Sequence, residues 1–278
     1  MGTCPSIRAV ERVEVRGLEI SFERAGSGPP VVLLHGGLSD HREWRAQPDD
    51  LSDAFTVLAW DAPGCGGSAD PPVDFGMTDY ADVLAGFIAS LGVERPHIVG
   101  LSWGSTLALE LYRRDPRIPQ TLILIAAYAG WAGSLAPEEV AERLDGVLRG
   151  LSQHPEDHAR SWLPSLVTER ASPEVRETLL RIMSAYHPAG ARVMVHAMAG
   201  SDLRDVLPRI EVPTLLLYGA EDERSPRAVA EEMHARIPRS TLAYLPAVGH
   251  QCNMEAPAAC NRALRGFLAS EGSPQLDR

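Results

Sequence analysis

The chain has 278 residues, a formal net charge of −11 at pH 7 and 45% hydrophobic residues, enough apolar material for a large buried core and more length than one average domain needs. That acidic balance excludes nucleic acid and anionic membranes as partners, because both select basic patches. All 26 basic residues are arginine, so a lysine Schiff base, a lysine-bound pyridoxal cofactor and a lysine-dependent phosphate loop are excluded as well.

In chain order, Val10 to Val15 and Leu18 to Arg24 alternate apolar and polar residues about Arg16-Gly17, the pattern of an antiparallel hairpin near a sheet edge. Pro30 introduces Val31-Val32-Leu33-Leu34, a continuous apolar run of the kind buried on both faces of a parallel sheet. Runs of the same kind recur at 56–60, 97–99, 121–125, 214–218 and 241–245. Between them, Tyr80 to Leu91, Ser105 to Arg114, Arg227 to Arg236 and Pro257 to Leu268 carry helical apolar spacing. This alternation predicts an α/β fold, an eight-stranded and mostly parallel sheet with helices on both faces.

Residues 130–207 break the rhythm. They hold no convincing strand, and their helix-like pieces are punctuated by Pro137, Pro155, Pro164, Pro173 and Pro188, each expected to start a helix or turn. The division is therefore a first core part over 1–129, a helical cap over 130–207 and a second core part over 208–278, with the tail 270–278 frayed.

Cys4, Cys65, Cys252 and Cys260 show neither a C-x-x-C pair nor zinc-ligand spacing and read as free thiols of a reducing compartment, with a Cys252–Cys260 disulfide left open. No apolar run approaches the roughly 18 residues of a membrane span. The first residues lack a signal-like apolar segment and fit only the loose myristoylation pattern, Met1 to Ser6. The expectation is a cytoplasmic protein with no membrane partner, and no exposed apolar stripe sets an oligomeric state.

Gly100-Leu101-Ser102-Trp103-Gly104 lies between the run ending at Val99 and the helical segment from Ser105. A serine flanked by glycines at a strand-to-helix turn is a nucleophile elbow, in which strained backbone projects the side chain above the sheet. The pentapeptide alone is a weak signal; its setting gives it weight. A serine hydroxyl needs a base, and the base an orienting acid. In this fold they follow in the order Ser, Asp or Glu, His. Gly219-Ala220-Glu221-Asp222-Glu223 follows the 214–218 run, and Val248-Gly249-His250 follows the last one. The predicted triad is Ser102, Asp222 and His250, with Asp222 preferred to Glu221 and Glu223 for its shorter side chain and its position in the loop. The oxyanion donors are expected to be the backbone N–H groups of Trp103 and of Gly37, the latter in the loop His35-Gly36-Gly37-Leu38, with His35 shaping that loop. No metal and no cofactor is called for.

His35-Gly36-Gly37 followed by Trp44, Asp61-Ala62-Pro63-Gly64-Cys65-Gly66-Gly67-Ser68, the elbow, the Asp222 loop and Gly249-His250 through Pro257 together resemble the α/β-hydrolase superfamily. The resemblance spans roughly 18–125 and 208–268. The elbow is similar to that of prolyl aminopeptidases, whereas the last third looks like enol-lactonases and small esterases. The Pro-Gly that such aminopeptidases carry after His-Gly-Gly is here Leu38-Ser39. Serine at 102 departs from the aspartate of haloalkane dehalogenases and epoxide hydrolases, and the glycine-proline-rich loop usual in carbon–carbon bond hydrolases is missing. The resemblance implies a serine hydrolase of a small ester or lactone. Aminopeptidase or amidase activity is the alternative, and a perhydrolase, haloperoxidase-like enzyme or ligand receptor on the same scaffold lies further off. Leu38, Trp131 and Met198 are expected to contact the small-molecule substrate, with Trp162, Tyr186, His187 and Met194 as further candidates, most of this set serving cap packing. Glu138, Glu139 and Asp145 are the acids available to anchor a substrate amine, and Cys65 reads as a turn residue.

Overall fold

The structure is a computed structural model and describes residues 9–271. The myristoylation pattern, Cys4 and all but the first two residues of the expected frayed tail lie outside that range, and Ser270 and Glu271 continue the last helix. Eight strands form one sheet: β1 (Val10–Val15), β2 (Leu18–Ala25), β3 (Pro30–Leu34), β4 (Thr56–Trp60), β5 (His97–Leu101), β6 (Thr121–Ile125), β7 (Thr214–Gly219) and β8 (Ser240–Leu245). Their order is β1-β2-β4-β3-β5-β6-β7-β8. The β1–β2 and β2–β4 pairs are antiparallel and all later neighbours parallel, as the continuous apolar runs predict. The hairpin turns at Arg16 and Gly17, with φ of 52° and 81°, the left-handed pair that matches the twist of the joined strands.

The helices are α1 (Ala46–Leu51), α2 (Met77–Ser90), α3 (Trp103–Arg114), α4 (Pro137–Gly150), α5 (Pro155–Leu166), α6 (Pro173–Met183), α7 (Pro188–Ala199), α8 (Arg227–Arg236), α9 (Cys252–Glu255) and α10 (Pro257–Glu271). α2 starts ahead of the predicted Tyr80 because the Asp79 carboxylate accepts the Gly76 N–H at 2.8 Å and fixes the first turn there. Pro137, Pro155, Pro173 and Pro188 open α4 to α7, where the missing N–H would have no helical acceptor. Pro164 departs from the expectation: it sits inside α5, near the carboxyl end, where a proline forfeits a single backbone bond before the chain leaves the helix.

Period-two alternation along the parallel strands feeds two cores. Val31, Leu33, Val99, Ile123, Ile125, Leu215 and Leu217 pack on one face with Leu51, Leu264 and Leu268 from α1 and α10. Val32, Leu34, Ile98, Leu122, Leu124 and Leu216 face the other way, onto α2, α3 and α8 through Phe87, Leu107 and Met233. Each such fully buried side chain contributes roughly 1.5–3 kcal/mol, and the strand ends are thereby fixed platforms for the loops above them. Cys65, Cys252 and Cys260 are buried free thiols. Among the described residues no helix is long and apolar enough to cross a membrane.

Candidate active site

Ser102 sits between β5 and α3 with φ 52° and ψ −109°, a conformation costly for a residue with a Cβ. Two hydrogen bonds hold the turn. Its N–H donates to the Ile125 carbonyl at 2.8 Å, and the Ser105 hydroxyl donates to the Gly100 carbonyl at 2.6 Å. The flanking glycines are obligatory: a Cβ on Gly100 would lie 2.4 Å from the Gly104 carbonyl oxygen, and one on Gly104 would lie 2.2 Å from that of Leu34. Only bare backbone lets helix and strand cross this closely.

His250 and Asp222 come from the ends of β8 and β7. Those ends are tied by the Ala220 N–H to the Leu245 carbonyl at 2.8 Å and by the Glu221 N–H to that of Val248 at 2.9 Å. Gly219 permits the approach, since a Cβ there would stand 2.1 Å from the Gly249 carbonyl oxygen. The Asp222 carboxylate accepts from His250 Nδ1, at 2.8 Å to Oδ2 and 3.0 Å to Oδ1, and Oδ1 also accepts the N–H groups of Arg224 and Ser225 at 2.9 Å each. Both side chains are almost wholly buried. Of the three clustered acids only Asp222 reaches the imidazole; Glu221 is exposed and pairs with Arg170, and Glu223 is exposed. With Nδ1 donating to the carboxylate, the other ring nitrogen is left as an acceptor for a hydroxyl proton.

Gly37 lies against the elbow, a Cβ on it falling 3.9 Å from Trp103 Cβ, and the Trp103 N–H belongs to the first turn of α3, where helical N–H groups lack intrahelical acceptors. The segments carrying the two expected oxyanion donors are therefore neighbours, and that of Trp103 is a helix N-terminus, where negative charge is favoured. His35 shapes the loop as expected. Its Nε2 accepts the Ala62 N–H at 3.0 Å, which leaves Nδ1–H to donate to the Gly36 carbonyl at 2.8 Å. Burial lowers its pKa, which keeps the ring neutral. Sequence reasoning missed Glu43. Its carboxylate accepts the Gly36 N–H at 2.8 Å and Gln251 Nε2 at 2.9 Å, clamping the Gly36-Gly37 loop to the residue after His250. Burial pushes this carboxyl up to about 7 against those hydrogen bonds.

Ser102, Trp103, Gly37, Leu38, Trp131, Met198 and His250 line one cavity, with Asp222 behind His250. Trp162 and Met194 join the wall, so four of the six aromatic, histidine and methionine candidates line it, and all four also pack in or against the core. Tyr186 and His187 do not line it: the Tyr186 hydroxyl lies 3.4 Å from His158 Nδ1, and His187 pairs with Asp70 at 2.8 Å. Leu101, Val147, Leu166, Leu179 and Met183 complete an apolar lining, which also holds Glu43, Gln251, Tyr128 and Arg224. Arg224 was also missed. Glu139 and Asp145 pair with Arg143 and Arg149, and neither they nor Glu138 line the cavity. Cys65 is a buried turn residue outside the lining.

One buried group among the described residues has metal-ligand geometry, Asp40, His41 and Asp61. Its donors are already engaged. Asp61 accepts from His41 Nδ1 at 2.7 Å and from the N–H groups of His41 and Gly67 at 2.8 Å each, and Asp40 binds Arg42. Against the pull of burial, the hydrogen bonds to Asp61 and Glu23 raise His41 to about 10, so the cluster carries its own cation.

A sheet of this order with an elbow serine and a facing His–Asp pair defines a hydrolase scaffold, and residues 31–263 match the model of the alpha/beta hydrolase family. The chain belongs to that family. A thermophilic esterase from Thermogutta terrifontis, solved with malate bound, is similar to it at 32% identity and a TM-score of 0.88, over 95% of this chain and all of that one. The pimeloyl-[acyl-carrier protein] methyl ester esterase of Nitrosomonas europaea is 27% identical over 83% of this chain and 92% of its own length. The 2-hydroxy-6-oxo-2,4-heptadienoate hydrolase of Pseudomonas putida is 28% identical over 92% and 94%.

Proposed function

We propose that this protein is a serine hydrolase that cleaves a small, partly apolar ester or lactone through an acyl-enzyme. The observation that carries the reading is the common cavity: Ser102 in its strained turn, His250 backed by Asp222, and Gly37 and Trp103 all line it. His250 takes the Ser102 proton as the hydroxyl oxygen attacks the acyl carbon, then returns it to the leaving alcohol; water repeats the sequence on the acyl-enzyme. The N–H groups of Gly37 and Trp103 receive the oxyanion at each tetrahedral stage.

Residues 130–207 act as the cap of this site, set between core parts 1–129 and 208–278, because α4 to α7 supply walls of the cavity through Val147, Trp162, Leu179 and Met198. Leu38, with φ 56°, is held in a left-handed turn that presents it to the cavity beside Trp131 and Met198, and these three contact the substrate. Esterase activity in two relatives favours ester chemistry over amide chemistry, as does the pairing of Glu139 and Asp145 away from the cavity. The three buried thiols suit a reducing compartment, and we read the enzyme as cytoplasmic.

The test is a panel of para-nitrophenyl acyl esters beside proline para-nitroanilide, on wild type and Ser102→Ala. Ester cleavage that vanishes in the variant, with the anilide untouched, is expected. Faster anilide cleavage hands the site to the aminopeptidase alternative, and activity retained by Ser102→Ala contradicts the mechanism.

A further inference from the structure

Arg224, two residues past Asp222, lines the same cavity as Ser102. Its guanidinium lies over the Trp162 ring, 4.3 Å from the centroid, and its Nη1 donates to the Ser165 hydroxyl at 3.0 Å. Both partners are neutral. Among the described residues no carboxylate forms an ion pair with Arg224, whereas nearby Arg143 pairs with Glu139. The acids closest in function are committed: Asp222 to His250 and two backbone N–H groups, Glu43 to Gly36 and Gln251. In a chain of net charge −11, with 37 acidic residues, a half-buried cation on the wall of a mostly apolar cavity, in ion-pair contact with no carboxylate among the described residues, is placed to receive an anion from a ligand. Burial lowers its pKa, yet a guanidinium stays charged near neutral pH.

We propose that Arg224 is the anion-recognising residue of this cavity, and that the substrate is an ester or lactone that itself carries a carboxylate. The fork of one guanidinium backed by an aromatic face matches a planar carboxylate, bound through two parallel N–H···O contacts. A phosphate dianion would leave charge and acceptors unmatched in a pocket with one free cation among the described lining residues. The carboxylate would be held at Arg224 while the scissile carbonyl lies at Ser102, so the distance between them selects chain length. The proposal rests on the hydrolase reading for its substrate half, and on the cavity alone for its anion site.

The experiment measures kcat/KM for mono-para-nitrophenyl esters of succinate, glutarate and adipate against neutral acyl esters of matching length. At least one half-ester is expected to exceed its neutral counterpart by about tenfold or more, the range of a charge-assisted contact. Arg224→Gln is expected to remove that ratio, and Arg224→Lys to keep part of it. Half-esters no better than neutral esters, under Ser102-dependent turnover, would overturn the anion site and leave the hydrolase reading intact. If no ester is turned over, calorimetric binding of free glutarate, succinate or adipate to wild type and to Arg224→Gln decides. Binding lost in the variant supports the site, and binding absent from both proteins, or equal in them, overturns it. Should Arg224→Gln fail to fold, the wild-type ratio and Arg224→Lys decide between these outcomes.

Discussion

Replacing Asp222 with asparagine changes one atom and reverses one hydrogen bond. Oδ1 accepts the N–H groups of Arg224 and Ser225 at 2.9 Å each, so the introduced amide must place its oxygen there. Its NH2 then occupies the Oδ2 position, 2.8 Å from His250 Nδ1. Two donors cannot face each other at that distance, so Nδ1 must become the acceptor and the ring proton must move to Nε2. The nitrogen that should take the Ser102 proton is then already protonated. A wrong tautomer with intact geometry costs roughly 10⁴-fold in kcat in the serine-protease template, about 5.5 kcal/mol of transition-state stabilisation. The fold keeps its packing and two of its hydrogen bonds, so unfolding free energy should change by less than about 2 kcal/mol. Steady-state kinetics on a para-nitrophenyl ester measures the first quantity and urea denaturation the second. Imidazole nitrogen NMR reads the tautomer. Activity within about tenfold of wild type, in a folded variant with the tautomer switched, would refute the reasoning.

Glu43 titrates near 7 in the folded protein against an ordinary 4.5, so the native state holds that proton more tightly and wild type loses stability as pH rises between those values. Glu43→Gln removes the titration: its stability relative to wild type should improve by up to about 3 kcal/mol from pH 4.5 to 8, read by urea melts at both ends, and a constant difference would contradict the assignment. Gly104→Ala sets a Cβ 2.2 Å from the Leu34 carbonyl oxygen and should cost more than about 3 kcal/mol or prevent folding. Gly146→Ala, in α4 with open space around it, should instead raise stability by about 0.5–1 kcal/mol; thermal melts of the two variants that fail to diverge would undo the steric account of the elbow.

What the sequence disclosed was local. Strand runs, the elbow, and the positions of Asp222 and His250 past their strands are all set by short-range pattern, because each side chain is aimed by the turn that carries it. Even the choice among Glu221, Asp222 and Glu223 was legible, since loop position and side-chain length decide it. Glu43 was not legible: its role comes from contact with Gln251, 208 positions away. Arg224 lies two positions from Asp222 in sequence, but its significance lies in the Trp162 face and the absence of a paired acid among the described residues, which only tertiary packing reveals. Residue type made Tyr186 and His187 candidates for the cavity without deciding between wall and packing; the α6–α7 junction sets them against His158 and Asp70.

The most direct measurement is a stopped-flow burst of para-nitrophenol from a slowly deacylating ester, with intact-protein mass read during turnover. An acyl-enzyme at Ser102 predicts a burst of about one equivalent per active site, a mass increase equal to the acyl group, and loss of both in Ser102→Ala. Rapid turnover with no burst and no adduct, at rates where acylation outpaces deacylation, would contradict the covalent mechanism.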